Sequence, residues 1–151
     1  MTGTRGKHRF PAEPGFRLCY TKNLVRVDIA MATIELTKDN FEEVVTGNDL
    51  VIIDFWAPWC GPCRGFAPVY EATSEKHPDI VFGKVNTDQE QELSGHFGIR
   101  SIPTLMIFRE KVGIFSQAGA LPGSALEDVI GNAKALDMKV VHREIADRES
   151  A

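Results

Sequence analysis

Three features of the chain predict an α/β fold built on a mixed sheet. Residues 50–57 are almost uniformly apolar, interrupted only by Asp54, as expected of a central strand buried on both faces. Strand-like and helix-like segments alternate from residue 33 to residue 97. Two adjacent strand-like runs, 104–108 and 112–117, then lie close enough to pair as a hairpin. Alternation supplies parallel strands joined by helices, and the hairpin adds antiparallel ones.

Residues 33–36 form a short β-prone run. Thr37 is placed to cap the helix after it, whose apolar stripe is Phe41, Val44 and Val45. The 50–57 strand follows. Residues 61–77 read as a helix, with Pro68 inside it as the source of a kink. Residues 80–86 are the third strand. Thr87 and Glu90 have capping-box spacing and open a helix carrying Leu93 and Phe97. Beyond the hairpin, Pro122 suits the first position of a helix whose apolar face is Leu126, Val129, Ile130, Ala133 and Leu136. The order is β-α-β-α-β-α-β-β-α. Past Leu136, the apolar Val140, Val141 and Ile145 and the pair Glu144–Arg148 permit another helical turn or two, docked or frayed.

With 151 residues, 43% apolar and 25% charged, the chain has room for one domain with a real core, and wholesale disorder is excluded. No apolar run approaches the ~20 residues of a membrane span. Three cysteines are too few for a disulfide-built secreted framework, and a net charge of −4 gives no electrostatic support for nucleic-acid binding. The charge is uneven. Residues 1–30 hold six Lys/Arg and two acids, a net of +4, which leaves −8 on 31–151. This divides the chain into an irregular leader (1–30), a domain (31–136) and a tail (137–151). The leader has no apolar core of a secretory signal, no serine, and prolines that oppose a transit-peptide helix. Met31-Ala32-Thr33 leads straight into the first strand, so Met31 is the expected native start. Cys19 lies in the leader without a CxxC partner, a free thiol with nothing nearby to activate it beyond Arg17 and Lys22.

The chemistry concentrates in Trp59-Cys60-Gly61-Pro62-Cys63. Two thiols separated by two residues can close a small disulfide loop. At a helix start the first thiol stays accessible, the second lies one turn inside, and the partial positive charge of the helix end favours thiolate at Cys60. That thiolate can attack a substrate disulfide, and Cys63 can resolve the mixed disulfide. The Gly-Pro pair shapes the turn. A competing reading is half a zinc site. Structural zinc needs four ligands, whereas here one cysteine pair stands with Cys19, His77 and His96 isolated from it. A CxxC beside a βαβ pattern reads more naturally as redox-active.

The segment Asp54-Phe55-Trp56-Ala57-Pro58-Trp59-Cys60-Gly61-Pro62-Cys63 closely resembles the active site of the thioredoxin family. Asp54, Pro68, Lys84, Ile102-Pro103-Thr104 and Gly119-Ala120 follow in family order at family-like spacings, over about residues 33–135. The resemblance implies the thioredoxin fold, a central mixed five-stranded sheet with helices on both faces. It implies that Cys60 attacks and Cys63 resolves, and that Asp54 is the buried carboxylate that relays the Cys63 proton. Burial should raise the pKa of such a carboxyl. The alternative for Asp54 is a salt-bridged structural acid. Lys84 resembles the family lysine near that carboxylate; the alternative is a plain surface lysine. Pro103 resembles the family's cis-proline, leaving a backbone edge at Ile102 for a bound peptide. Trp59, Gly61, Pro62, Ile102, Pro103 and Gly119 are then the docking surface. Trp56 and Pro68 are structural supports, with the Trp56 indole N–H expected to find a polar partner.

Departures from the family pattern are the 109–111 turn, which lacks its usual glycine, Arg64 where lysine is frequent, and Gly65-Phe66, which should loosen the helix start. The leader and tail have no counterpart in the minimal family domain.

The function implied is protein-disulfide reduction by a redox-active disulfide, with no bound cofactor and no metal. The implied partners are an NADPH- and flavin-dependent thioredoxin reductase and disulfide-containing proteins, with the protein a cytoplasmic monomer that binds neither nucleic acid nor membrane. The histidine that oxidase- and isomerase-type relatives carry between the cysteines is absent, which favours the reductase. Two other readings are a chaperone-like module on the same fold and a reductant dedicated to one partner, with leader or tail as the address.

Overall fold

The apolar run at the centre of the chain becomes the middle of the sheet. The computed structural model describes residues 32–151, so the readings of the leader and of Cys19 lie outside the described residues. Strand β2 (Leu50–Trp56) pairs in parallel with β3 (Val81–Asn86), which pairs in parallel with the short edge strand β1 (Thr33–Glu35). On its other side β2 runs antiparallel to β4 (Thr104–Arg109), which forms a hairpin with β5 (Val112–Ala118). The order β1-β3-β2-β4-β5 is the mixed five-stranded sheet expected from alternation followed by a hairpin.

Both faces of β2 are covered, which is why its sequence does not alternate in polarity. Leu50 and Ile52 face a core shared with Phe66 and Tyr70 of helix α2 (Gly61–Lys76) and Leu126, Ile130 and Ala133 of helix α4 (Gly123–Ala135). Val51, Ile53 and Phe55 face the opposite core. There they meet Val45 of helix α1 (Phe41–Gly47) and, near helix α3 (Gln91–His96), Leu93 and Phe97. Asp54 is on the α2 face, in register with Lys84 on β3 and Leu105 on β4.

Helix α2 runs unbroken through Gly65 and Pro68. At Gly65-Phe66, where glycine lowers helix propensity, Phe66 is buried and packs the first turns against the sheet. Pro68 sits on the exposed side of the helix, where its missing N–H leaves the Arg64 carbonyl facing water.

Three local expectations are corrected, one of them by longer-range competition. Thr37 does not cap α1; the cap position is Asn40, whose Oδ1 accepts from the Thr37 N–H at 2.8 Å. Thr87 and Glu90 do not form a capping box. Thr87 Oγ1 donates to the Trp56 carbonyl at 3.1 Å, and the Glu90 carboxylate accepts from the Lys38 N–H at 3.0 Å. Pro122 is the N-cap of α4, so the helix starts at Gly123, one residue later than expected, and Leu136 lies past the helix end, exposed.

The tail forms helix α5 (Met138–Glu149), capped by Asp137, whose side chain accepts from the Lys139 N–H at 3.0 Å. Met138 is buried. Arg109 ties this end of the molecule together: its Nη1 donates to the carbonyls of Ala133, Lys134 and Leu136 at 2.9, 3.0 and 2.7 Å. These are carbonyls at the end of α4, which have no helical partner of their own.

The β4–β5 turn is built from Glu110 and Lys111, with φ of 50° and 71°. Two left-handed residues between paired strands form the hairpin turn that favours Asn and Gly, and a side chain in that region costs about 1 kcal/mol. The Glu110 N–H is anchored on the Asp49 carbonyl at 2.8 Å, which helps hold the turn. Lys111→Gly is therefore expected to stabilise the protein by about 1 kcal/mol, a rise of a few degrees in thermal midpoint. An unchanged or lower midpoint would show that the turn is unstrained.

Candidate active site

Cys60 ends the loop after β2 and is the N-cap of α2; Cys63 lies in the first turn of the helix. Their sulfurs are joined, with Cα atoms 5.2 Å apart. The Cys63 N–H points back at the Cys60 sulfur, 3.2 Å away. It is one of the N–H groups that the first turn of a helix leaves without a partner, so it stabilises negative charge on Cys60 once the pair is reduced. The same geometry makes Cys60 the better leaving group when an external thiolate attacks Cys63 in the oxidised protein.

One expectation about the thiols is corrected. Cys60 is hardly more accessible than Cys63, at 4% against 2% exposure. Ile102 closes over it, with its carbonyl oxygen 3.7 Å from Cys60 Sγ. Ile102 leads into Pro103 through a cis peptide bond, and Pro103 is buried. The Pro103 carbonyl accepts from the Gly119 N–H at 2.8 Å. Gly119 has φ of 101°, a conformation that side chains disfavour and glycine adopts freely. Around this seam Trp59, Gly61, Pro62 and Gly119 are exposed and Ile102 is half-buried. The sequence-predicted docking residues are thus brought to one surface, with only Pro103 sealed beneath it.

Trp59 is 68% exposed, the most open large apolar side chain among the described residues. Its indole N–H donates to the Asp88 carboxylate, at 2.9 and 3.2 Å from the two oxygens. Asp88 is set by a turn after β3 in which its own N–H donates to Asn86 Oδ1 at 3.0 Å. Sequence reasoning missed Asp88. The available signal was the Asn86-Thr87-Asp88 cluster after a strand, which fits a side-chain-stabilised turn as well as a helix cap.

Asp54 lies beneath the disulfide end of the sheet and is 1% exposed. Neither of its oxygens has a hydrogen-bond partner among the described residues. Burial pushes its carboxyl up to about 7, opposed by the positive charge of Lys84. Lys84 is not within ion-pair distance of Asp54; its Nζ lies 4.7 Å over the Trp56 ring. It is half-buried, intermediate between the two readings of it from sequence. Trp56 packs against the cysteine pair, but the expected polar partner for its indole N–H is not found among the described residues. The indole gains a cation over its face instead, an attraction of its own. No group of three or more metal-ligating side chains occurs among the described residues. No described helix is long and apolar enough to cross a membrane.

A protein-family model described as Thioredoxin matches residues 32–132. The chain is 57% identical over 119 residues, 79% of its own length and 89% of the relative's, to a Streptomyces coelicolor protein provisionally named thioredoxin 2. It is 44% identical over 102 residues to the thioredoxin of Porphyra purpurea, covering 66% of this chain and 95% of that one. Among solved structures, Plasmodium falciparum thioredoxin is similar with a TM-score of 0.62 and 35% identity, over 66% of this chain and 97% of the other. Malassezia sympodialis thioredoxin is similar with a TM-score of 0.62 and 33% identity, over 68% and 90%.

Proposed function

This chain belongs to the thioredoxin family, and from that premise we propose how its residues divide the work of a thiol–disulfide reductase. The observation that carries the reading is the Cys60–Cys63 disulfide at the start of α2, beside a largely apolar exposed surface.

In the reduced protein the Cys60 thiolate attacks one sulfur of a substrate disulfide. The substrate S–S bond breaks, a mixed disulfide forms, and the departing substrate sulfur takes up a proton. Cys63 then loses its proton and attacks Cys60 Sγ. The Cys60–Cys63 bond forms, the mixed disulfide breaks, and the second substrate sulfur leaves as a thiol. The substrate has gained two electrons and the protein has lost two. A flavin- and NADPH-dependent thioredoxin reductase is the partner that returns them.

Asp54 is the group that takes the Cys63 proton, because a carboxyl titrating near 7 is matched to that task at neutral pH. Lys84 restrains the rise of that carboxyl and keeps a usable fraction ionised. Trp59, Gly61, Pro62, Ile102 and Gly119 receive an extended substrate segment, with the Ile102 backbone as its pairing edge and Pro103 holding that edge in place. Trp56 and Pro68 support the site. The protein works as a monomer in the cytoplasm, where the reducing poise suits such a centre.

The test is the reduction potential of Cys60–Cys63, measured by equilibration in defined thiol–disulfide buffers with trapping of free thiols. A value near about −270 mV, which belongs to thioredoxin itself, is expected; about −180 mV, which belongs to protein disulfide isomerase, would overturn the reductant reading. The gap is roughly a thousandfold in equilibrium constant.

A further inference from the structure

Tyr70 lies on the same inward stripe of α2 as Cys63, two helical turns further along, and is fully buried. Phe66 and Phe82 hold its ring from two directions, with centroids 5.7 and 5.3 Å away. The surrounding core is apolar, so packing alone would be served by phenylalanine. The hydroxyl reaches past that core to the backbone of the sheet, 2.7 Å from the Gly83 carbonyl oxygen and 3.0 Å from that of Ile52. These two carbonyls lie beside Asp54, both on the side of the sheet that precedes it, since Gly83 is the register partner of Ile53. Ile52 is its neighbour on the same face of β2, and Gly83 immediately precedes Lys84, the register partner of Asp54 on β3.

A phenol has one hydrogen to donate, and here it is directed at carbonyl oxygens beside a buried carboxyl. It offsets part of their negative ends where charge on Asp54 is least well solvated. Burial, then the charge of Asp54, pushes the Tyr70 hydroxyl well above its ordinary value, so it remains a neutral donor at working pH. The charged group facing Asp54 is Lys84 on β3; α2 carries the buried Cys63 on its inward stripe, β4 presents Leu105, and α4 presents the apolar Leu126 and Ile130 to this core.

We infer that Tyr70 is a positioning residue for the resolving step: its hydroxyl, clamped to the two strand carbonyls beside Asp54, eases ionisation of that carboxyl. This rests on the reading of Asp54 as the acceptor of the Cys63 proton. Removing the hydroxyl takes one donor from these carbonyl oxygens and makes the surroundings less polar, and both effects favour the protonated carboxyl.

The test is Tyr70→Phe in the full chain. The ionisation midpoint of Asp54 is followed by carbon-13 NMR of the labelled carboxyl in the oxidised protein, and the resolution rate is followed across pH. The midpoint is expected to rise by roughly half a pH unit or more, with the rate near neutrality about threefold lower and its pH profile displaced upward. A hydroxyl of purely structural value would lower stability and leave the midpoint in place, and that result would overturn the inference. Should Tyr70→Phe fail to fold, 3-fluorotyrosine at this position keeps the ring and strengthens the donor. The midpoint should then fall, and an unmoved midpoint again overturns the inference. Asp54→Asn separates the two readings. An unchanged resolution rate in that variant defeats Asp54 as proton acceptor, whereas the midpoint in Tyr70→Phe still decides the role of Tyr70.

Discussion

Cys63→Ser is expected to convert the protein into a trap. Cys60 keeps its place at the helix start and attacks a substrate disulfide as before, but no second thiol stands beside it to resolve the adduct. Turnover should fall by at least about a thousandfold, because attack within one loop is replaced by attack from dilute external thiol. Intact-mass analysis after a single addition of a disulfide-bonded protein should show a stable covalent adduct at Cys60. Cys60→Ser should show none, since the Cys63 sulfur lacks the helix-start N–H that points at Cys60 and stabilises a thiolate there. An adduct on Cys63 in Cys60→Ser would reverse the assignment of attacking and resolving thiols.

Asp54→Asn is expected to make the protein more stable and slower at once. An ordinary Asp titrates at 3.8, but in the folded chain this one titrates at about 7. Between those values the folded state binds more protons than the unfolded state, so wild-type stability falls as pH rises through that window. The stability associated with the protonated carboxyl is complete below about pH 4 and lost once the pH has passed through 7. Asn does not titrate. At about pH 8 the variant should exceed the wild type by several kcal/mol, on the order of 4, and the gap should close as the pH approaches 4. Denaturant midpoints measured across this range check the sign. The resolution step, deprived of its proton acceptor, should slow by roughly tenfold or more near neutrality. A structural salt bridge at Asp54 predicts the opposite stability change, and the distance to Lys84 already speaks against one.

Much of this protein was determined locally. A run buried on both faces cannot alternate in polarity, so β2 was legible from residues 50–57. The reactive pair was legible because two cysteines at this spacing before a helical pattern have few other uses. The apolar stripes of α1 and α4 followed from helical period, and the mixed character of the sheet followed from alternation and a hairpin. The family resemblance gave Asp54, already conspicuous as the one acid in that run, its role, and it added Lys84 and the Ile102–Pro103 step, which periodicity could not have singled out.

Tertiary structure decided what depends on partners distant along the chain. Thr87 has the spacing of a cap, yet the Trp56 carbonyl claims its hydroxyl because β2 and β3 end side by side. Cys60 sits where a helix start should leave it open, yet Ile102 covers it once β4 is in the sheet. The turn at Asp88 had a local signal, but the partners of Asp88 and Tyr70 did not, because one needs Trp59 and the other needs the carbonyls of two strands. Hydrophobic period and residue spacing are properties of neighbouring positions, whereas each polar group here chose among several acceptors that only the folded chain brings within reach.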